Sequence, residues 1–385
     1  MVERNYKSEL DGWEQEGLLR RLVSISSSAG RQVWVGGEKK IVFCSNNYLG
    51  LAHHPRIIEA IKKGLDEWGY GSGGSRLISG NTEIHERLQR RLAQLLGKEA
   101  GLIFPSGYMT NHAVLSTLAG ERDLIVMDKL AHASIIDGAR ASGATVRVWP
   151  HRRTDKLRRL LERGGYQRAF IVTDSLFSMD GDLAPLEELV DLKQRFAAQL
   201  MVDEAHAFGC IGPGGKGCAA EAGVLEGVDI FVGTFSKALG GAGGFVAGSK
   251  VITDYLVNRA RGFIYTTSIP AVNCLAAEAA LDIIAAEPQR RARLSNNATY
   301  LRGRLHEGGL SIGDSQSYIV PVMVGSADLA VRTAQALWER GLWAAAIRPP
   351  TVAPAGSRLR LSVMSEHTDE DLERLSNALF QLPLR

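Results

Sequence analysis

From about residue 81 to 290 the chain alternates apolar runs of strand length with segments whose apolar positions recur at helical spacing. LIVMD, TVRVW, AFIVTDS, QLMVDEAH and DIFVGTFS are mostly bare Val, Ile, Leu and Phe stretches rather than polar alternations. Strands apolar on both faces suit a mostly parallel sheet covered by helices, so an α/β domain is predicted here. GGFVAG reads as one further strand, and two long helical patterns follow near 270–307. Then come YIVPVMV, a helical pattern at about 327–340, LWAAAI, RLRLSV and a closing helix. Strands returning after long helices, with a last helix over them, predict a smaller α+β domain. The expected division is a large domain over 51–285 and a small one over 286–385. The N-terminal helix and QVWVGGEKKIVFCS, within 1–50, are expected to pack with the small domain.

Composition narrows the classes of function. A length of 385 residues favours one large domain with a smaller companion. Hydrophobic residues at 45% and charged ones at 23% are ordinary for a globular protein. With a net charge of +3 and dispersed Lys and Arg, no nucleic-acid footprint is expected. The start, MVERNYKSELDGWEQEGLLRRL, mixes charges throughout and lacks the apolar core of a secretory signal. No run of roughly 20 apolar residues predicts a membrane span. Cys44, Cys210, Cys218 and Cys274 lack metal-ligand spacing, so thiols in a reducing cytoplasm and no metal are expected.

In open α/β sheets ligands collect beyond the carboxyl ends of the strands. Asp174, Ser178, Asp203, His206, Thr234, Ser236 and Lys237 all follow apolar runs and are expected to converge on one cleft. Asp203, at the end of a buried run, is either a cap, a structural ion pair or the partner of a cationic ligand atom. Lys237, in TFSKALGG, is either held by an anion or serves as an amine nucleophile. Pyridoxal 5'-phosphate (PLP) would explain both, with Asp203 on its ring nitrogen and Lys237 in a Schiff base with its aldehyde. PSGYMTNHAVL offers a phosphate cradle: Gly107 and Tyr108 open a helical pattern, and Thr234 and Ser236 add hydroxyls. GYGSGGSRLISGN lacks the order of a nucleotide phosphate loop and reads as a tight turn. His132, where a helix begins after LIVMD, is either structural or stacked on the ring.

TFSKALGGAGGF, VDEAHAFGCIGPGGKG, DSLFSMDGDLAPL, DKLAHASI, SNNYLGLAHHP and GSGGSRLISG together resemble the α-oxoamine synthase family of fold-type I PLP enzymes, over about residues 16–380. The resemblance implies an aspartate aminotransferase-like fold and a homodimer with shared active sites. It makes Lys237 the Schiff-base lysine, Asp203 the partner of the pyridine nitrogen and His132 the ring-stacking residue. His206 and Ser178 would reach the phenolic oxygen, and Gly107, Tyr108, Thr234 and Ser236 would surround the phosphate. Thr267, Ser268 and Asn47 would come from the neighbouring subunit. Arg360 matches the arginine that holds an amino-acid carboxylate, while Arg20 and Thr351 match positions contacting the acyl group.

IRPPTVAPAGSRLRLSV resembles the branch of that family that condenses L-alanine with a pimeloyl thioester, on CoA or an acyl carrier protein, in biotin synthesis. Arg348 would then meet the distal carboxylate of the acyl chain, or face a helix end as a structural residue. Branches using glycine with acetyl-CoA, or serine with a fatty acyl-CoA, share the core motifs and stay open, as does a non-catalytic PLP sensor. Two departures stand out. Asp174 replaces the glutamate common before SMDGD, so its contact is expected to be lost or water-bridged. The loop TVAPAGSRLR also shifts its alanine and proline order.

Overall fold

The structure, a computed structural model, describes residues 6–384. The described residues begin with the helix Tyr6–Gln15 and an antiparallel hairpin of β1 (Gln32–Val35) and β2 (Glu38–Val42). Helices Pro55–Trp68 and Glu83–Leu96 lead into β3 (Ala100–Phe104). Five strands follow with helices or short 3-10 turns between them: β4 (Leu124–Asp128), β5 (Thr145–Trp149), β6 (Ala169–Asp174), β7 (Gln199–Asp203) and β8 (Ile230–Thr234). A tight reversal then gives β9 (Gly244–Gly248). Helices Ala271–Ala286 and Gln289–Glu307 precede β10 (Ile319–Gly325), β11 (Leu342–Trp343), β12 (Ala345–Ile347) and β13 (Ser357–Ser362), before the closing helix Asp369–Phe380.

Among the described residues seven strands form the large sheet, in the order β3-β9-β8-β7-β6-β4-β5. Strands β4 to β8 pair in parallel, and β9 runs antiparallel to both β8 and β3. This is the mostly parallel α/β sheet expected from the bare apolar runs. Every residue of β4, β6 and β8 is buried, because helices cover both faces. At the edge, β5 is largely exposed. Phe104, Ile135, Phe170, Met201, Val232 and Phe263 belong to one continuous core cluster. Each such side chain contributes roughly 1.5–3 kcal/mol by leaving water.

Two compact units divide the chain. One comprises residues 51–178 and 183–291 and holds the large sheet. The other comprises the chain up to Gly50, Met179–Asp182 and Ala292 onward, with the sheets β1-β2-β11 and β10-β13-β12. Among the described residues no helix is long and apolar enough to cross a membrane.

Two glycines set the geometry that the site depends on. The helix Gly107–Leu118 packs on the helix Ala133–Ala141 at Gly138, where a Cβ would lie 2.9 Å from both Asn111 O and His112 Cα. At the start of β9, a Cβ on Gly244 would lie 2.7 Å from Gly107 N and Cα. The amino end of the Gly107–Leu118 helix therefore rests directly on the sheet at the mouth of β8 and β9.

Candidate active site

Parallel pairing of β6 with β7 puts Asp174 and Asp203 in register at the carboxyl ends of their strands. Both are buried. Asp203 Oδ1 accepts the Ala205 N–H at 2.8 Å, and its Oδ2 accepts the Asn111 amide at 2.6 Å. Asp174 Oδ2 accepts the backbone N–H of His132 at 3.0 Å, so the shorter carboxylate makes a direct contact where a lost or water-bridged one was expected. Burial, and then the neighbouring Asp203 charge, push the Asp174 carboxyl well above the ordinary aspartate range.

His132 is the N-cap of Ala133–Ala141. Its Nδ1 lies 2.7 Å from Ser134 Oγ and accepts the Ser134 N–H at 3.3 Å. His132 is exposed. Desolvation lowers its pKa below the usual histidine value, Asp203 opposes the shift, and Lys237 adds to it. His132, Asp203 and Lys237 thus share one electrostatic neighbourhood, as the chemistry of the motifs requires.

Lys237 sits in the reversal between β8 and β9, half-buried, beyond the strand whose end the sequence pattern located. Thr234 Oγ1 donates to Gly243 O at 2.8 Å and accepts from Ser236 N at 3.2 Å, with Ser236 Oγ at 2.8 Å. Across from them, Ser106 Oγ caps the Gly107–Leu118 helix by accepting from Met109 N at 3.2 Å. The amides of Gly107 and Tyr108 open this 12-residue helix. The Tyr108 hydroxyl itself donates to Asp137 on the surface.

This donor set fits PLP. A helix amino terminus and the Ser236 hydroxyl can donate to its phosphate, Thr234 Oγ1 having given its proton to Gly243 O, and the glycine contact at Gly244 keeps the cradle open to a dianion. The buried Asp203 carboxylate is of the type that can partner a protonated ring nitrogen, and Lys237 lies in the reversal after the neighbouring strand. His206 is buried and Ser178 half-buried beyond the ends of β7 and β6.

The segment 265–268 is tied to the loop 72–80. Ser268 N donates to Gly74 O at 3.0 Å, Ser72 Oγ donates to Ser268 O at 2.5 Å, and Thr267 bridges Ser75. Ser268 is buried with its hydroxyl 3.1 Å from His85 Nε2, whereas Thr267 is exposed.

Glu204, next to Asp203, carries no motif signal beyond its place in DEAH. It is fully buried, and its carboxylate accepts from Ser175 Oγ at 2.6 Å, Cys218 N at 2.9 Å and Ala219 N at 2.8 Å. Burial still raises its pKa to about 7. Asn111 and Ser134 are equally silent in the sequence, because polar residues near a helix start read as caps.

In the other unit, Arg360 lies buried on β13. Its Nη1 donates to Ser362 Oγ at 2.9 Å and its Nη2 to Asn46 Oδ1 at 3.2 Å. Asn47 is buried, with its amide reaching Ala29 O at 3.4 Å. Arg348 Nη2 donates to Leu19 O at 2.9 Å, and Arg20 Nη2 to Pro349 O at 3.3 Å. Thr351 closes the turn through its N–H to Arg348 O at 3.1 Å. Arg348 Nε is buried without a partner, and no carboxylate among the described residues pairs with either arginine. Desolvation, and then the Arg20 charge, lower the Arg348 pKa.

Residues 38–379 match the family described as aminotransferase class I and II. The 8-amino-7-oxononanoate synthase of Citrifermentans bemidjiense is 42% identical over 382 residues, 98% of each chain. The protein of that name from Geobacter sulfurreducens is 43% identical over the same length and coverage. Among solved structures, a lysine-to-alanine variant of serine palmitoyltransferase from S. paucimobilis, with bound PLP-myriocin aldimine, superposes with a TM-score of 0.92. It is 30% identical and covers 97% of this chain and 95% of its own. The family resemblance and the fold type read from the motifs are borne out.

Proposed function

Because this chain belongs to the aminotransferase class I and II family, we propose that it catalyses the PLP-dependent condensation of L-alanine with a pimeloyl thioester, releasing carbon dioxide and free thiol and forming 8-amino-7-oxononanoate for biotin synthesis. The observation that carries this reading is identity of 42–43% over 98% of the chain with synthases of that name. Bound PLP supplies a ring that withdraws electrons from the amino-acid Cα.

The chain's own residues do the rest. Lys237 would hold the cofactor through its amine and, as a neutral amine, would take the Cα proton. Asp203, fixed by Asn111 and Ala205 N, keeps the ring nitrogen protonated. Gly107, Tyr108, Thr234 and Ser236 hold the phosphate, and His206 and Ser178 serve the phenolic oxygen. Arg360 takes the alanine carboxylate as a charge-assisted pair. Cα then attacks the thioester carbonyl, the C–S bond breaks, and the thiolate leaves. Loss of the carboxylate as carbon dioxide and return of a proton to Cα complete the balance. His132 donates to the thioester oxygen as negative charge gathers there.

Arg20 and Arg348, with Thr351 closing their turn, receive the distal carboxylate of the pimeloyl group. Two guanidinium groups that repel each other, one with a buried unpartnered N–H, suit an anionic chain end and not the methyl end of a fatty acyl group. We also infer a homodimer. Thr267, exposed on a segment pinned by Ser72, Gly74 and Ser75, reaches the neighbouring site, with Ser268 and Asn47 supporting that boundary. The acyl donor is pimeloyl-CoA or the pimeloyl carrier protein. A cytoplasmic setting fits cysteines that form no disulfide among the described residues.

Mass-spectrometric detection of 8-amino-7-oxononanoate, with one carbon dioxide per thiol released, is the test. Thiol release without carbon dioxide would rule the condensation out.

A further inference from the structure

Asn111 lies in the first turns of the Gly107–Leu118 helix and is 2% exposed. Its amide nitrogen donates twice, to Asp203 Oδ2 at 2.6 Å and to Ser134 Oγ at 2.9 Å. A carboxylate offers only lone pairs, so the Asp203 contact fixes which end of the amide is the nitrogen. Ser134 Oγ accepts from Asn111 and has one proton left to give, and His132 Nδ1 lies 2.7 Å away. The Ser134 backbone N–H also points at that Nδ1, at 3.3 Å, and an N–H can only donate. Two donors aimed at Nδ1 leave no place for a proton on it.

We propose that Asn111 and Ser134 are positioning residues which hold His132 in the neutral tautomer protonated at Nε2 and lock that tautomer to the orientation of Asp203. The relay runs from Asp203 through Asn111 and Ser134 to His132, and the His132 backbone N–H closes onto Asp174. The close packing at Gly138 brings the two helices near enough for the Asn111 to Ser134 link.

A second observation supports a role for the amide nitrogen. Asn111 Oδ1 is buried with no partner among the described residues, a destabilising arrangement in a helix whose buried residues also include Thr110, Ala113, Val114 and Leu115. An apolar side chain would avoid it but would leave Asp203 and Ser134 without their donor. The consequence for the reaction rests on the function proposed above. With Nε2 protonated, His132 offers a hydrogen bond to the thioester oxygen; the other tautomer would present a lone pair to a developing negative charge.

The test is the 15N spectrum of histidine-labelled, cofactor-free protein at neutral pH, with His132 assigned against a His132→Gln variant. Wild type should show an unprotonated Nδ1 and a protonated Nε2; the reverse pattern, or an imidazolium, overturns the proposal. Asn111→Ala and Ser134→Ala should move both ring nitrogens toward the tautomeric average, and Ser134→Thr should keep the wild-type pattern. Unchanged shifts in both alanine variants would remove these residues from the relay. In the holoenzyme Asn111→Ala should lower kcat about tenfold to a hundredfold, with a smaller change in KM for L-alanine. Should wild type release no thiol from a pimeloyl donor, the proposed function fails while the ring spectrum still decides the relay.

Discussion

Two polar clusters, one in each unit, differ in what their side chains bond to, though each leaves one buried atom unpartnered among the described residues. Around Asp203 the groups are locked to one another: Asn111, Ser134, His132, Asp174 and Ala205 N form a connected network on the ends of rigid strands and helices. Around Arg348, among the described residues, the cations meet backbone carbonyls and no side chain, and one buried N–H is left over. The first cluster is organised before any ligand arrives, as chemistry at a reacting carbon demands. The second is incomplete until an anion fills it, as selection of one acyl chain demands.

The sharpest break of the organised cluster is at Lys237. Lys237→Ala should lower kcat on the order of 10⁴-fold or more, and the protein should still take up cofactor but lose the visible band of lysine-bound PLP. An unchanged spectrum would contradict the assignment.

Next comes the pH response of the buried carboxyls. Folded Glu204 keeps its proton to about pH 7, whereas an unfolded glutamate loses it near 4.5. Between those values the folded state binds the extra proton, so stability falls as pH rises through this window. Asp174 acts in the same sense. Glu204→Gln should remove about 3 kcal/mol of this dependence, seen as a flatter Tm profile from pH 5 to 8 than wild type shows. A profile as steep as wild type would place the proton elsewhere.

For the open cluster, Arg348→Ala should raise KM for pimeloyl-CoA about tenfold to a hundredfold and leave a neutral heptanoyl thioester unaffected. Equal changes for both thioesters would sink the anion role. The smallest effect is expected at the helix contact. Gly138→Ala, overpacked against His112, should cost about 1–3 kcal/mol in denaturant unfolding, and an unchanged midpoint would mean that the two helices separate without strain.

Much of this was legible in the sequence, for physical reasons. The sheet strands β4, β6, β7 and β8 stand out because parallel strands buried on both faces carry uninterrupted apolar runs. Lys237, Asp203 and His132 stand out because charged or titratable groups beside such runs need a reason to be there. By contrast β3, AGLIF, opens on Ala and Gly, which have low strand preference and blur it into the helical pattern before it. Asn111 and Ser134 are hidden because their partners lie 92 and 23 residues away along the chain. The one available signal is the apolar AVL that follows Asn111 and His112, which marks this stretch of the helix as a buried one. Glu204 is masked by Asp203, since adjacent carboxylates read as one acidic motif until burial separates their surroundings.

The central claim is the identity of the substrate pair, and a direct competition measures it. Thiol release by the PLP-loaded protein should be compared for L-alanine with pimeloyl-CoA, L-serine with palmitoyl-CoA, and glycine with acetyl-CoA. The account predicts kcat/KM for the first pair at least about tenfold above either other pair. Equal or faster turnover of the palmitoyl or acetyl pair would contradict it, and with it the role given to Arg20 and Arg348.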